Sequence, residues 1–265
     1  MMNIELPECL KPFKANIEAS IKPVVTIKAA KAKKKLSLWQ SKFSGQPYFP
    51  KALDYPLDSQ QQPMALMAQL NFADIPHLPM FPETGILQFF ISSTNGVFGM
   101  NFDDLLNTDN FRVFYFPEIT HDESKLLTDF SFLPKINQLE LPFSYECALN
   151  FELQTAPMSI VDYQFGSKIL NSDEPYYYDE EIYEAYSELF PSQGHKIGGY
   201  PFFTQADPRE IEQYQNQEYI LLFQMDTDDD NGIMWGDCGV ATLFIKKQDL
   251  LNKDFSKVLY NWDCC

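Results

Sequence analysis

The residues of this sequence best suited to chemistry lie in one acidic stretch, DTDDDNGIMWGD, at residues 226–237. Its alternating aspartates, Asp226, Asp228 and Asp230, have the spacing of the first ligands in an EF-hand calcium loop. That loop needs glycine at its sixth position and glutamate at its twelfth, where this chain has Asn231 and Asp237. We therefore interpret the stretch as a hairpin connection turning at Asn231-Gly232, and retain the three aspartates only as weak metal candidates.

A Trp-Gly-Asp tripeptide closes this stretch, and two glutamines end matching apolar runs elsewhere in the chain. Trp235 can bury its ring, and Asp237 can accept backbone N–H groups in a turn. Gln69 and Gln224 either link two halves of the fold or line a cleft between them, because a buried amide must be hydrogen-bonded. We favour the structural role for both glutamines. The candidate binding residues are Gln69, Gln224, Asp226, Trp235 and Asp237.

Catalytic machinery is hard to assemble from the rest of the chain. The histidines His77, His121 and His195 are isolated, and none stands in an HExxH spacing. The sequence contains no GxSxG nucleophile elbow, P-loop or GxGxxG motif, and only two arginines for phosphate recognition. A glycosidase-like carboxylate pair stays open, because carboxylates are plentiful. We assign no catalytic residue and no cofactor, and favour a protein that is not an enzyme.

The periodicity of apolar residues predicts a strand-rich α+β chain with peripheral helices. Strands are predicted at residues 24–27, 64–70, 84–92, 111–116 and 139–151. Helices are predicted at residues 7–19, 124–132, 179–190 and 207–214. The two-sided apolar run at 84–92 is typical of a central strand, whereas Pro142 places the strand at 139–151 at an edge or a bulge. The lysines at positions 31 and 33–35 predict a solvated edge strand protected by charge, which we favour over a nucleic-acid patch.

The charge of the chain is large, negative and unevenly distributed. The net charge of −17 repels phosphate backbones and anionic lipid, so nucleic acid and membranes are poor partners. Residues 1–51 contain ten lysines and three acids, a charge of +7, whereas the rest of the chain has 10 basic and 34 acidic residues, a charge of −24. The simplest interpretation is that a basic N-terminal segment lies against an acidic body. The alternative is a basic tail offered to a separate partner.

The sequence predicts a cytoplasmic location. The first twenty residues lack the apolar core of a signal peptide, and no stretch approaches the length of a membrane span. The five cysteines are odd in number and show no CxxC spacing, which favours free thiols in a reducing compartment. The adjacent Cys264 and Cys265 are either a redox or metal pair or an incidental feature of the chain end, and we favour the latter.

Two stretches of the chain repeat each other at a nearly constant spacing. The segments KFSGQPYF, ALMAQLN and GILQFFI align in order with KIGGYPFF, ILLFQMD and GVATLFI. Gly199 follows Gly45 by 154 positions, and Gln224 follows Gln69 by 155. We therefore predict that residues 41–116 and 195–261 are equivalent units about a pseudo-two-fold axis, within one domain of residues 1–265.

These motifs resemble those of the YwqG-like family of bacterial proteins. The resemblance rests on GGYP at 198–201, QMD at 224–226, MWGDCG at 234–239 and DLL at 249–251, and spans the chain from about Ser41 to its end. It implies an α+β fold with an internal repeat but no activity, because the family is a domain of unknown function. In the first half Ser44 stands where the second half has Gly198, and no Trp-Gly-Asp precedes Gly85. A site built on these residues would belong to the C-terminal half.

Two hypotheses of function follow from the sequence. The first is a binding protein whose acidic, aromatic surface engages a basic protein, as an inhibitor or immunity-type partner. The second is a small-molecule or divalent-metal-dependent activity in a cleft between the halves, where Gln224, Asp226 and Trp235 would converge. The acidic excess and the lack of catalytic motifs favour the first. The oligomeric state is left without a prediction.

Overall fold

Ten antiparallel strands form one sheet in a computed structural model of the protein, which describes residues 5–94, 96–134, 136, 139–172 and 179–265. In chain order the strands are β1 Lys22–Lys31, β2 Lys42–Phe43, β3 Ala65–Asn71, β4 Ile86–Ile91, β5 Phe111–Phe116, β6 Cys147–Ala156, β7 His195–Gly198, β8 Tyr219–Asp226, β9 Val240–Lys246 and β10 Val258–Asp263. Their order across the sheet is β10-β9-β8-β7-β1-β6-β2-β3-β4-β5. The strand-rich α+β prediction is confirmed at this level.

Both faces of β3, β4, β8 and β9 are covered, as the apolar run at 84–92 predicts for β4. In β4, Phe89 belongs to the main core, whereas its neighbour Phe90 points to a smaller apolar cluster on the other face. Successive side chains of a strand alternate between faces, so a strand buried on both sides reads as a continuous apolar run. Each fully buried phenylalanine contributes about 1.5–3 kcal/mol of transfer free energy.

The sheet curls so that its two ends pack against each other. The ring of Phe89 in β4 stacks on Phe223 in β8, with centroids 5.4 Å apart. The ring of Phe111 in β5 stacks on Tyr260 in β10 at 4.5 Å, and the Tyr260 N–H donates to the carbonyl of Leu105. The two ends of the sheet therefore share one apolar core.

The lysine-rich strand β1 lies at the centre of the sheet, and its prediction as an edge strand is wrong. It pairs with β6 over its whole length and with β7 only from Val24 to Ile27. Lys28 and Lys31 lie beyond the end of β7, where one side of β1 is open to solvent and their side chains are exposed. The strand predicted at 139–151 begins later, at Cys147, and is also central, so Pro142 precedes it.

Short helices pack on the periphery. They are α1 Lys14–Ser20, which follows a 3-10 turn at Glu8–Phe13, α2 Glu180–Leu189 and α3 Lys247–Leu251. The predictions at 7–19 and 179–190 are confirmed, and the Asp179 side chain caps α2 by accepting the Glu181 N–H. Among the described residues no helix is long and apolar enough to cross a membrane.

The helices predicted at 124–132 and 207–214 are wrong, because the 3-10 turn in each segment is not continued as an α-helix. In the second segment further turns follow at residues 212–216. The two 3-10 turns are Glu123–Lys125 and Pro208–Glu210. Asp122 and Asp207 cap them, but the next residues, Leu126 and Ile211, have extended backbone angles. A cap signal without a following amphipathic run does not propagate a helix.

A buried ion cluster ties the second of these 3-10 turns to the segment that follows β6. The Arg209 guanidinium donates to Asp162 at 2.8 Å and, through Nε, to Asp207 at 2.9 Å. It also lies over the rings of Tyr163 and Phe244. Burial raises the pKa of Asp207 even though Arg209 opposes that effect. The guanidinium therefore offsets the unfavourable burial of two carboxylates close to each other.

We expect Arg209→Met to lower the free energy of unfolding by about 3–5 kcal/mol, because it leaves Asp162 and Asp207 buried without a cation. The matched control is Arg112→Met, since Arg112 is only partly buried and, among the described residues, its guanidinium donates only to the Phe111 carbonyl. Urea unfolding of both variants measures the difference. Equal losses in the two variants would contradict the assigned role.

Candidate functional site

The acidic loop between β8 and β9 is a compact turn fixed to the sheet. A 3-10 turn at Asp229–Asn231 leads into Gly232, which has φ 69°. The backbones of Asp228 and Ile233 exchange two hydrogen bonds, of 2.8 and 3.0 Å. The prediction of a hairpin turn at Asn231-Gly232 is therefore confirmed.

The side chain of Asn231 attaches this turn to the central strand β1. Its amide oxygen accepts the Lys31 N–H at 3.0 Å, and its amide nitrogen donates to the carbonyl of Ala29 at 3.1 Å and to Asp228 at 2.7 Å. β1 extends past β7 here, so the asparagine satisfies backbone groups that have no partner strand. Asn231 breaks the EF-hand pattern and serves as a bridge between loop and sheet.

The structure separates the three aspartates that the sequence put forward as weak metal candidates. Asp226 is buried and accepts the Gly194 N–H at 2.5 Å, whereas Asp228 faces His195 and Asn231. Asp230 is exposed. Within the described ranges, no three His, Cys, Asp or Glu side chains form a group that could hold a metal ion.

His195, which appears isolated in the sequence, lies between two of these aspartates. Its Nδ1 accepts the Asp226 N–H at 2.9 Å, and its Nε2 lies 3.3 Å from the Asp228 carboxylate. Burial lowers the pKa of His195 below its ordinary value of 6.5, and the hydrogen bond to Asp228 opposes that effect. The neutral ring with its proton on Nε2 satisfies both contacts, so His195 connects β7 to β8 and to the acidic loop.

We expect the protein to lose stability as pH falls below about 6.5, partly through His195. The unfolded chain binds a proton there at its ordinary pKa, whereas the folded protein binds it only at lower pH, so protonation favours unfolding. Each unit by which folding lowers the pKa corresponds to about 1.4 kcal/mol. His195→Asn keeps an acceptor near the position of Nδ1 and removes this titration. Urea unfolding at about pH 7.5 and about pH 5.5 should show a smaller pH effect in this variant than in the wild type. An identical pH effect in both proteins would exclude a contribution from His195.

Trp235 lies inside the core. Its side chain is 0% exposed and packs against the rings of Phe98 and Trp262, with centroids 5.8 and 6.1 Å away. Gly239 closes the following turn by donating its N–H to the Trp235 carbonyl at 2.7 Å. The indole N–H has no hydrogen-bond partner among the described residues. Trp235 is therefore a structural residue of the core.

The other members of the tripeptide face outward. Gly236 has φ 57°, and a Cβ at this position would overlap the Cys264 side chain. Asp237 is exposed, and its backbone carbonyl accepts the Cys265 N–H at 3.3 Å. The described residues provide no hydrogen-bond donor to its carboxylate, so the backbone of Asp237 makes the contact that its side chain was expected to make.

We expect Trp235→Ala to cost about 3–5 kcal/mol of unfolding free energy, because it removes a fully buried aromatic ring. Phe102→Ala is the control, since Phe102 is 70% exposed and its truncation should change stability by less than about 0.5 kcal/mol. The midpoints of urea unfolding give both values. An unchanged midpoint for Trp235→Ala would show that the ring does not support the fold.

The two candidate glutamines are both fully buried, and each holds the loops of its own half of the chain. The Gln69 oxygen accepts the Tyr48 N–H at 2.8 Å, and its nitrogen donates to the carbonyls of Leu38 and Gln40. The Gln224 oxygen accepts the Phe202 N–H at 2.8 Å, and its nitrogen donates to Ser192 and Gly194. Each partner of Gln224 stands 154 positions after the corresponding partner of Gln69. They neither link the halves nor line a cleft between them.

Two buried lysines, which the sequence did not single out, show nearly the same relation, because their carbonyl partners are offset by 155 and 154 positions. The Lys42 ammonium donates to the carbonyls of Ser37 at 2.6 Å and Gln46 at 3.0 Å. Lys196, 154 positions later, donates to the carbonyls of Ser192 and Tyr200. Burial lowers the pKa of each lysine to about 8. A lysine at the start of each KxxGxPxF segment was the available signal.

Lys42 also shows how far the basic N-terminal segment contacts the acidic body. It lies 3.5 Å from Glu146, and Lys28 lies 3.8 Å from Glu152. Two other lysines pair within the segment itself, Lys11 with Glu8 and Lys14 with Glu18. The lysines at 33–35 are exposed. Internal pairing thus accounts for part of the basic charge.

Comparison with known families assigns the chain to a protein family whose activity is unknown. Residues 41–264 match the family described as Domain of unknown function (DUF1963). The chain belongs to this family. No curated protein matches the sequence. The matched region contains β2 to β10 and every candidate residue described above, whereas β1 precedes it.

Proposed function

We propose that this DUF1963 protein is a binding protein that engages a basic protein partner through an acidic surface. The observation that carries the proposal is the outer face of α2. Its exposed carboxylates are Asp179, Glu180, Glu181, Glu184 and Glu188. The helix contains no lysine or arginine, and no ion pair of the described residues includes any of these carboxylates.

The side chains on this face suit recognition of a cationic surface. Tyr183 lies among the carboxylates and is 42% exposed. The negative charge of the whole chain would steer a basic partner toward it and speed association. An inhibitor or immunity-type role fits such a surface, because it requires tight binding and no catalytic group of its own.

The matching contacts in the two halves support a second element of the proposal, internal duplication. Residues 41–116 and 195–261 would be equivalent units within one domain of residues 1–265. The mirrored strand order, the matched glutamines and the matched lysines support this origin. We also propose that the chain is a YwqG-like member of the family, of bacterial origin, and works in the reducing cytoplasm with its five thiols free.

The alternative, small-molecule or metal-dependent activity in a cleft between the halves, draws little support from the residues first considered for it. Gln224, Asp226 and Trp235 are buried, and each is engaged in holding a strand, a loop or the core. Its support comes instead from a cavity beside Lys196, which is lined in part by Thr26 and Tyr200.

Binding through α2 predicts a charge-dependent capture of a partner. A variant carrying glutamine at Glu180, Glu181, Glu184 and Glu188 should lose most of the basic protein that the wild type retains from native lysate. The matched control neutralises four exposed acids outside α2: Asp54, Glu83, Glu118 and Glu123. Both variants change the net charge equally, so a loss confined to the first assigns the surface.

Two measurements interpret this experiment: the dependence of capture on ionic strength, and the identity of the captured protein. Capture through exposed charges should weaken as ionic strength rises above about 0.15 M, where the screening length is about 8 Å. Mass spectrometry should identify a retained protein of basic isoelectric point. Equal retention by the two variants, or the absence of any basic protein specific to the wild type, would refute the proposal.

A further inference from the structure

The buried lysines of the two halves differ in one respect, the presence of a counter-ion. In the first half Lys42 lies 3.5 Å from the Glu146 carboxylate. In the second half no carboxylate of the described residues lies within ion-pair distance of Lys196. The side chain of Lys196 is nonetheless buried, and Asp226 acts on it only at longer range.

The position equivalent to Glu146 is occupied by Val24. Gly45 has φ 82° and approaches Glu146 so closely that a Cβ would overlap its carboxylate. Gly199, 154 positions later, has φ 68°, and a Cβ there would overlap the Val24 side chain. The same turn therefore packs on a carboxylate in the first half and on an aliphatic side chain in the second.

A cavity of about 250 Å³ adjoins the unpaired lysine. Val24, Thr26, Gln154, Ser192, Lys196 and Tyr200 are among the residues that line it. Leu189, Phe190 and Pro191 add an apolar wall. The cavity thus combines one buried cation with surface suited to a short hydrocarbon chain.

Cations adjoin this cavity, and the carboxylates near its walls have partners of their own. Asp162, which acts on Tyr200, pairs with Arg209 at 2.8 Å. Asp226, which acts on Lys196, accepts the Gly194 N–H. Lys22 places its ammonium 3.4 Å from the centroid of the Tyr200 ring, so a second cation lies close to the wall. Glu152, opposite Thr26 in the β1–β6 register, is paired with Lys28 at 3.8 Å. An ammonium has three donors, and the carbonyls of Ser192 and Tyr200 use two of those of Lys196.

We propose that this cavity binds a small organic anion, a carboxylate with a short apolar chain, whose carboxylate pairs with Lys196 as Glu146 pairs with Lys42 in the other half. A buried charge without a partner is unfavourable, and a bound carboxylate supplies the partner that the chain omits. The apolar chain of the ligand packs against Phe190 and its neighbours. The cavity adjoins the C-terminal end of α2 at Leu189, whereas the carboxylates of the acidic face are not among the residues that line it.

Hexanoate and hexanamide test the proposal, because they share a hydrocarbon chain and differ in charge. In calorimetric titrations of the full chain, hexanoate should bind at least tenfold more tightly than hexanamide. In methyl NMR spectra it should shift the signals of Val24 and Thr26. Equal affinity for the two ligands, no binding of hexanoate, or shifts confined to residues outside the cavity would overturn the proposal.

Two variants separate the charge from the cavity. Lys196→Met should abolish the preference for hexanoate over hexanamide. Val24→Glu supplies an internal carboxylate, so it should raise the melting temperature and weaken hexanoate binding at least tenfold, which keeps the test decisive if Lys196→Met fails to fold. Binding of hexanoate to Val24→Glu with wild-type affinity would refute the assignment.

Discussion

The pairing of β1 with β6 is the constraint on which the whole architecture depends. It joins a half-sheet made of β2 to β5 to one made of β7 to β10 through ten consecutive residue pairs. β1 comes from the N-terminal part of the chain but pairs with β7, whereas β6 pairs with β2. Each half-sheet is therefore adjoined by a strand from the other part of the sequence. Such pairing between distant segments requires closure of a long stretch of chain, which carries an entropic cost and slows folding.

Buried polar side chains form hydrogen bonds with the backbone of the loops beside β2 and β7. β2 and β7 are short, so the backbone around them lacks strand partners over much of its length. Gln69, Gln224, Lys42 and Lys196 supply those partners, since each donates to carbonyls of its own half. An unmade hydrogen bond of this kind costs about 1–3 kcal/mol, which explains polar side chains at positions otherwise suited to apolar ones.

The residues that hold the fold together differ from the residues of the two proposed binding sites. The acidic loop, His195 and Trp235 serve the fold. Asn231 of the loop hydrogen-bonds to β1, His195 hydrogen-bonds to β8, and Trp235 is buried in the core. The exposed carboxylates of α2 and the cavity beside Lys196 lie on elements that the scaffold leaves exposed or open. Both proposals rest on unpaired charge. The carboxylates of α2 have no lysine or arginine on the same helix, and Lys196 has no carboxylate within ion-pair distance among the described residues. Neither requires a catalytic group.

The sequence by itself determined the local elements with strong patterns. The apolar runs of β3, β4 and β5, the capped helix α2 and the Asn231-Gly232 turn could be predicted because neighbouring residues decide them. The 154-residue spacing also pointed to matching segments. Predictions failed where the local signal was weak, as in the 3-10 turns that follow Asp122 and Asp207.

Only the tertiary structure decided which groups meet. A lysine-rich strand became central because β7 ends before its charged residues, which no local pattern shows. His195 looked isolated because Asp226 and Asp228 approach it from another strand and its loop. The contrast between Lys42 and Lys196 is equally invisible in the sequence, since Glu146 lies 104 positions from one lysine and Val24 lies 172 from the other. Burial and pairing depend on contacts between distant segments, and these are set by how the sheet closes on itself.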